Sequence, residues 1–277
     1  LVVNNTATDG DPFLAFALSG TQKFTMGVDD GDSDKFKIGT SAIGTDTRLT
    51  ITSAGAVGVG ESSPDVFFHI KTADDGGVMT IESTNASSSS GPNLNLLRTS
   101  ASPADDDNIG KINFQAYDDG SNNTVYANIQ TLIRDTTNTT EDGRMLLNTI
   151  VNGALVSRVE LDNDETVINE NSYDLDFRVE SDSNTHALFV DASTSRVGIG
   201  TSTLGAELNV YASDVSSYMK FTNVNNTSSG VDIGLYDNGS ASPQAVIINR
   251  EAGGEIALQD NTGTLLTLNA TEAKFND

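Results

Sequence analysis

Apolar and polar residues alternate at period two in segment after segment of this chain. The runs Lys35–Ile38, Arg48–Thr52, Lys111–Phe114 and Asp176–Glu180 follow this pattern, which places the apolar side chains of a strand on one face. No window of about eleven residues carries a helical apolar stripe, and the abundance of Ser, Thr, Asn, Asp and Gly disfavours helices. The sequence therefore predicts an all-β fold.

Turn residues separate the alternating runs. Asp118-Asp119-Gly120 and Asn152-Gly153 readily take the positive φ angles of tight hairpins. The strongest hairpin signal runs from Leu146 to Leu161 around Asn152-Gly153, and we predict two paired strands there.

A sequence repeat organises the chain. Leu49–Leu97 and Leu188–Tyr236 align with an offset of about 140 residues, so that Val57-Gly58-Val59-Gly60 falls on Val197-Gly198-Ile199-Gly200. The repeat predicts an N-terminal β module over 1–48, a first repeat module over 49–97, a hairpin-rich β-meander insert over 98–172, a second repeat module over 173–236 and a C-terminal β-meander over 237–277. Repeat arrays of this type form elongated rather than globular structures.

The glycines of the repeated motif need an explanation. Period two places Val57 and Val59 on one face of a strand and Gly58 and Gly60 on the other. Glycine inside a strand costs about 0.5–1 kcal/mol, so the motif predicts a bulge, a bend or the close approach of another backbone. A flexible strand end before a turn is the alternative, and the repetition of the motif favours close packing.

Apolar residues are too few to fill a large hydrophobic core within a single chain. The 277-residue chain is 36% hydrophobic and 6% aromatic, against a usual apolar share of about 45–50% that also counts glycine. We therefore expect other chains to bury part of its apolar surface. The formal charge of −24 repels phosphate groups and predicts no nucleic-acid partner and no membrane insertion.

Several segments resemble the repeat units of bacteriophage tail fibres and related virion appendages. The segments that carry the resemblance are Asp11–Phe16, Phe24–Asp29, Asp32–Ile38, Leu175–Asp182, Ala187–Ala192 and Arg196–Ser202; the last three are similar to modules of long fibres from phages of marine bacteria. The resemblance implies an elongated, intertwined homotrimer, either a β-prism or a triple-β-helix-like fibre. It also implies an extracellular location on the virion, contacts with other virion tail proteins, and attachment to a host surface glycan or outer-membrane receptor.

A trimer of this kind requires a shared apolar core. The predicted lining is Val57, Val59, Phe68, Ile70, Phe177, Val179, Leu188, Val190, Val197, Ile199, Leu208 and Val210. Both alternating faces are apolar at Leu188-Phe189-Val190, which predicts burial on two sides of that strand.

One acidic run is a candidate metal site. Asp30, Asp32 and Asp34 match the first three oxygen positions of a calcium loop. Lys35 and Ser41 stand where an EF-hand has Gly and Glu, so the helix-loop-helix form is excluded. The run predicts either a loop site for a structural calcium ion or a solvated turn, and no other cofactor is predicted.

The sequence carries no pattern of nucleophilic catalysis. His69 and His186 lie at or beside predicted strands, where a hydrogen-bonded structural imidazole is expected, and the chain has no Gly-x-Ser-x-Gly elbow. We therefore predict no catalytic residues and no enzymatic activity. Two alternatives to the virion fibre stay open: a cellular surface adhesin or filament subunit built from the same modules, and, less favoured, a tailspike that cleaves glycans with paired carboxylates.

Overall fold

The structure, a computed structural model, describes residues 2–7, 10–89, 91–212, 217–223, 226–236, 244–249, 256–260, 263–268 and 273–275. The chain divides into two compact units, Leu1–Asn95 and Leu96–Asp277. Strands, turns and one 3₁₀ turn make up the described residues, which contain no α-helix. The predicted all-β fold class is confirmed.

The first unit contains a six-stranded sheet whose strands follow one another in chain order. The strands are β1 (Phe13–Leu18), β2 (Thr21–Asp29), β3 (Lys35–Gly39), β4 (Thr47–Ile51), β5 (Val57–Val59) and β6 (Phe68–Ile70). All neighbours are antiparallel except β5 and β6, which are parallel. The 3₁₀ turn Asp30–Asp32 connects β2 to β3, and the sheet is continuous across residue 48.

The second unit begins with a five-stranded antiparallel meander. Its strands are β7 (Asn108–Tyr117), β8 (Asn123–Asp135), β9 (Asp142–Val151), β10 (Ala154–Leu161) and β11 (Thr166–Ile168), in the order β11-β10-β9-β8-β7. Asn152 and Gly153 join β9 to β10 with φ angles of 49° and 83°, the pattern of a tight hairpin turn. The hairpin predicted around these two residues is confirmed.

A four-stranded sheet follows. Its strands are β12 (Phe177–Val179), β13 (Leu188–Asp191), β14 (Arg196–Ile199) and β15 (Leu208–Val210). Strands β13, β14 and β15 pair as β4, β5 and β6 do, with an antiparallel pair followed by a parallel one. Leu188 lies opposite Ile199 just as Leu49 lies opposite Val59. Over these three strands, the two copies of the sequence repeat therefore share one topology and one register.

Two three-stranded antiparallel sheets complete the described chain. They comprise β16 (Ser217–Asn223), β17 (Asn226–Tyr236) and β18 (Gln244–Asn249), then β19 (Ile256–Asp260), β20 (Gly263–Leu268) and β21 (Ala273–Phe275). Residues 237–243, 250–255, 261–262, 269–272 and 276–277 of the predicted C-terminal meander lie outside the described residues.

The glycines of the repeated motif mark a close approach of two backbone segments. A Cβ atom on Gly58 or on Gly198 would lie 2.2 Å from the carbonyl oxygen three residues further along the chain. Gly60 and Gly200 have φ angles of 70° and 81°, in the left-handed region. No larger residue fits these positions without a shift of the backbone. The following turn folds back against Gly58 and Gly198, whereas a Cβ on Gly60 or Gly200 would lie 2.2 Å or 2.1 Å from the carbonyl oxygen of Lys71 or Tyr211.

Few apolar side chains are buried in the part of the chain that the structure describes. Val156 is 1% exposed and Phe189 is 8% exposed. They are the buried large apolar side chains among the residues whose burial the structure describes. The buried polar residues are more numerous: Thr25, Asp29, Lys37, Thr50, Asn128, Asn148, Ser157 and Asp232. This distribution reverses the usual preference of protein interiors for apolar side chains.

Candidate assembly face

The strand register collects the apolar side chains of the first sheet on one face, because residues opposite each other in neighbouring strands point to the same side. One row across the sheet is Val28, Phe36, Ile51, Val57 and Phe68, and the next is Met26, Ile38, Leu49, Val59 and Ile70. We call these ten residues the open face of the first unit. It contains the four residues of the predicted trimer core that precede residue 98.

Solvent reaches this face. Phe68 is 59% exposed and Val59 is 38% exposed, and the other members of the two rows are half-buried. Phe16 and Phe24 lie opposite each other beside these rows and are 53% and 50% exposed. Exposed apolar surface that extends across a whole sheet is typical of an interaction surface.

The other face of the same sheet is polar and covered. Thr25 and Thr50 are 0% exposed and Lys37 is 4% exposed. Loops of the chain itself cover them, and the Thr25 hydroxyl donates a hydrogen bond to the carbonyl oxygen of Ser41. An antiparallel sheet with one solvated face normally buries its apolar side, so this sheet is inverted.

Carboxylates compensate the buried charge of Lys37. The Nζ atom of Lys37 lies 2.8 Å from Asp29 Oδ2 and also donates to Asp32, and Lys35 Nζ lies 2.8 Å from the other Asp32 oxygen. Hydrogen bonds from Lys35 and Lys37 hold the pKa of Asp32 below its usual range. Burial favours a lower pKa for Lys37, but the bonds to Asp29 and Asp32 together raise it. The cluster is thus a satisfied ionic network, which fixes the polar side of the sheet against the chain's own loops.

The four-stranded sheet of the second unit has the same arrangement. Its rows are Phe177, Val190, Val197 and Leu208, then Val179, Leu188, Ile199 and Val210. These are the eight remaining residues of the predicted trimer core, and we call them the open face of the second unit. None of them is buried, and Leu208 is 51% exposed. The register therefore brings them together on one side of the sheet, while their burial by other copies stays a prediction.

Phe189 explains why both faces of β13 are apolar. It is 8% exposed, and its ring meets the ring of His186 edge-on, with 5.2 Å between the ring centroids. Leu188 and Val190, on the opposite side of the strand, are only half-buried. The chain itself therefore covers one of the two apolar sides that the sequence predicted to be buried, and leaves the other open.

The five-stranded meander repeats this inversion. Asn128 and Asn148 lie opposite each other and are buried, and Asn148 Nδ2 donates to Asn128 Oδ1 at 2.7 Å. The other face carries Ile112 and Phe114, which are 43% and 55% exposed. Val156 is the buried exception on that apolar side.

A cleft borders the open face of the second unit. It has a volume of about 540 Å³, and its walls include Tyr173, Leu175, Phe177 and Val190. Since Phe177 and Val190 also belong to the open face, the cleft adds a concave apolar border that a neighbouring side chain can fill.

The structure does not bring the predicted calcium ligands together. The carboxylate of Asp32 accepts hydrogen bonds from both Lys35 and Lys37, so ammonium groups take the oxygen positions that a cation needs. Among the described residues, which include Asp30 and Asp34, no group of three or more His, Cys, Asp or Glu side chains is placed to hold a metal ion.

Both histidines make local contacts. His69 Nδ1 lies 2.9 Å from Asp65 Oδ1, and His186 Nδ1 lies 3.0 Å from the Thr185 hydroxyl oxygen. These contacts orient each ring through residues within four positions in the sequence, as a structural imidazole requires.

Part of the open face of the first unit was not predicted from the sequence. Met26, Phe36, Ile38 and Leu49 share its rows but were not among the predicted core residues. Their strands alternate at period two, so extending the pairing outward from Val57 and Val59 could have found them. The burial of the polar face had no comparable signal, because alternation does not tell which face the loops will cover.

Comparisons with known proteins do not identify the chain: no family model and no curated protein matches it. In the described part of the chain, no helix is long and apolar enough to cross a membrane.

Proposed function

We propose that this chain is a structural subunit of a bacteriophage tail fibre. Three parallel copies pack around one axis, and each contributes its open faces to a shared apolar core. The fibre belongs to the virion, contacts other tail proteins, and supports or mediates attachment to a host surface glycan or outer-membrane receptor.

The observation that carries the proposal is the inversion of the sheets. In the first sheet and the five-stranded meander, the chain buries polar residues, as at Lys37 and Asn128, and leaves an apolar side exposed, as at Phe68 and Phe114. The four-stranded sheet buries Phe189 and leaves Leu208, on its other side, exposed. Burying apolar surface stabilises a folded protein by about 25 cal/mol per Å², and a single chain does not gain this stabilisation for its exposed apolar sides. Packing against further copies buries these sides, so assembly adds to the stability of the fold.

Three copies, rather than another number, follow from the resemblance of Phe24–Asp29 and Arg196–Ser202 to tail-fibre modules. In a three-sided arrangement, one face of each copy points to a common axis and the polar loops point outward. A formal charge of −24 per copy then lies mainly on the outer surface, where hydroxyl, amide and carboxylate groups offer contacts to a polar host receptor.

The mass of the purified chain in solution tests this assembly. Light scattering should give about 87 kDa, which is three times the 29.1 kDa of one chain. A monodisperse particle of one chain mass would contradict the shared core. A stable particle of two or four copies would contradict the trimer and leave the shared apolar face in place.

A second measurement tests the location. Mass spectrometry of purified phage particles should detect the chain in a fixed ratio to the other tail proteins. Its absence from the particles, together with its presence on cell surfaces, would favour the cellular adhesin or filament.

A further inference from the structure

The second copy of the repeat forms strands where the first copy does not. Met219 in β16 pairs with Ile233 in β17, and the repeat alignment places Met79 and Leu94 at the equivalent positions. No strand forms among residues 78–89 and 91–97. The exposed large apolar side chains of this region are Val78, Met79, Ile81, Leu94, Leu96 and Leu97.

The repeat extends further, to strand β7. Ser100-Ala101-Ser102-Pro103 recurs as Ser240-Ala241-Ser242-Pro243, and β7 follows the first of these segments as β18 follows the second. Strand β18 pairs with β17. Strand β7 pairs with β8 on one side only and ends its sheet within the described residues. Although β7 begins at Asn108 and β18 directly after Pro243, each is the first strand after its copy of this segment, and only β18 has the neighbour that β17 provides.

Strand β7 is an edge that needs a partner. Nine of its ten residues are exposed, and a long exposed edge with apolar side chains is a template for pairing with another chain. Leu96 of the same chain approaches it, but the Leu96 side chain lies 3.1 Å from where a Cβ of Gly110 would be. Because a Cβ points out of the face of a sheet, Leu96 covers the face at Gly110 rather than the edge. Arg98 Nη1 donates to the carbonyl oxygen of Asn108 at 3.3 Å, and beyond this contact no described strand pairs with the edge.

We propose that residues 91–97 of one copy add as a β-strand to the open edge of β7 in a neighbouring copy. This inference rests on the proposed assembly of copies into a fibre. Strand addition supplies ladder hydrogen bonds to residues 91–97 and to the outer edge of β7, which has no strand neighbour in the single chain. Pro92 stands near the start of the added strand, where a missing N–H is tolerated.

The absence of cysteine from the chain makes a cross-linking test clean. Leu94→Cys and Lys111→Cys are introduced into separate copies of the full chain, which are co-expressed and then oxidised, and linked peptides are identified by mass spectrometry. A link between the two variants can form only between copies. Ser87→Cys, at an exposed loop position, combined with Lys111→Cys is the matched control.

Strand addition predicts linking above the control level at position 94. Moving the first cysteine through positions 93, 94, 95 and 96 should give yields that alternate, since neighbouring side chains of a strand point to opposite faces. In the assembled wild-type chain, amide exchange of residues 91–97 should be slower by at least about tenfold than in an unstructured peptide.

Two results would overturn strand addition while leaving the fibre intact. One is a particle of three chain masses in which the cross-link stays at the level of the Ser87 control. The other is a link found only within one chain, when both cysteines are placed in the same copy. A particle of one chain mass would instead contradict the proposed function itself, and with it this inference.

Discussion

Replacing Phe68 by alanine tests the open face of the first unit at a single point. Phe68 is 59% exposed in the single chain, so the isolated fold gives it little packing to lose. We expect Phe68→Ala to keep the fold of the chain and to weaken the association of copies.

The size of the effect follows from the exposed area. A phenylalanine buries about 200 Å² when fully enclosed, so 59% exposure leaves about 120 Å² available to a partner. Alanine retains about a third of this area, and the lost 80 Å², roughly, corresponds to about 2 kcal/mol per copy. Three copies lose about 6 kcal/mol together, or about four decades in the dissociation constant. Because that constant has the dimension of concentration squared, the midpoint of trimer dissociation should rise about 100-fold.

A dilution series followed by light scattering or sedimentation measures this midpoint. The matched control is Phe67→Ala, which removes the same side chain from the neighbouring position. Phe67 is 80% exposed but lies outside the paired rows of the sheet, so its replacement should change the midpoint much less. Equal shifts of the midpoint in both variants, or an unchanged midpoint in Phe68→Ala, would show that other copies do not bury the open face at Phe68.

Three further predictions concern the folded chain. Gly198→Ala places a methyl group 2.2 Å from a backbone carbonyl oxygen, so it should lower the free energy of unfolding in urea by about 2–3 kcal/mol. Gly76→Ala, where nothing lies within 4 Å of the added methyl group, should lower it little. Equal effects of the two substitutions would contradict the close approach of the backbone at Gly198. Val156→Ala, at a side chain that is 1% exposed, should cost about 2 kcal/mol, and Leu155→Ala, at 46% exposure, should cost clearly less in the same assay. The pKa of Asp32 is lowered in the folded state from 3.8, so its stabilising contribution is present above that pH and is lost as the pH falls through the folded value. The melting temperature of the wild type should therefore fall more steeply than that of Asp32→Asn below about pH 4, and identical slopes would contradict the ion cluster.

Local patterns explain why the strands were predictable. Alternation at period two depends only on the geometry of an extended chain, and Asn152-Gly153 favours positive φ whatever surrounds it. The glycines at 58 and 198 signalled a close approach because no other residue lacks a Cβ. Their partner, the carbonyl oxygen of the following turn, could not be read from the sequence, since it depends on how that turn folds back.

The candidate site was only partly predictable. The eight core residues predicted after residue 172 lie together on one face of their sheet. Side chains alternate between the two faces along each strand, so any register that pairs these strands correctly brings the eight residues to the same face. The ion pairs of the acidic run that contains Asp30 could not be predicted for a different reason. Spacing along the chain matched a calcium loop, but Lys35 and Lys37 fold back onto Asp32, and ligand spacing carries no information about competing cations.

The strands, their turns and the two-sided character of each strand could be predicted because they depend on neighbours within a few positions. Which side of a sheet faces the chain's own loops is a property of the tertiary structure. That choice depends on contacts between distant segments, such as Lys37 with Asp29 and Thr25 with Ser41. Covering the polar sides within one chain left the apolar sides open, and the proposed partnership with further copies follows from this outcome.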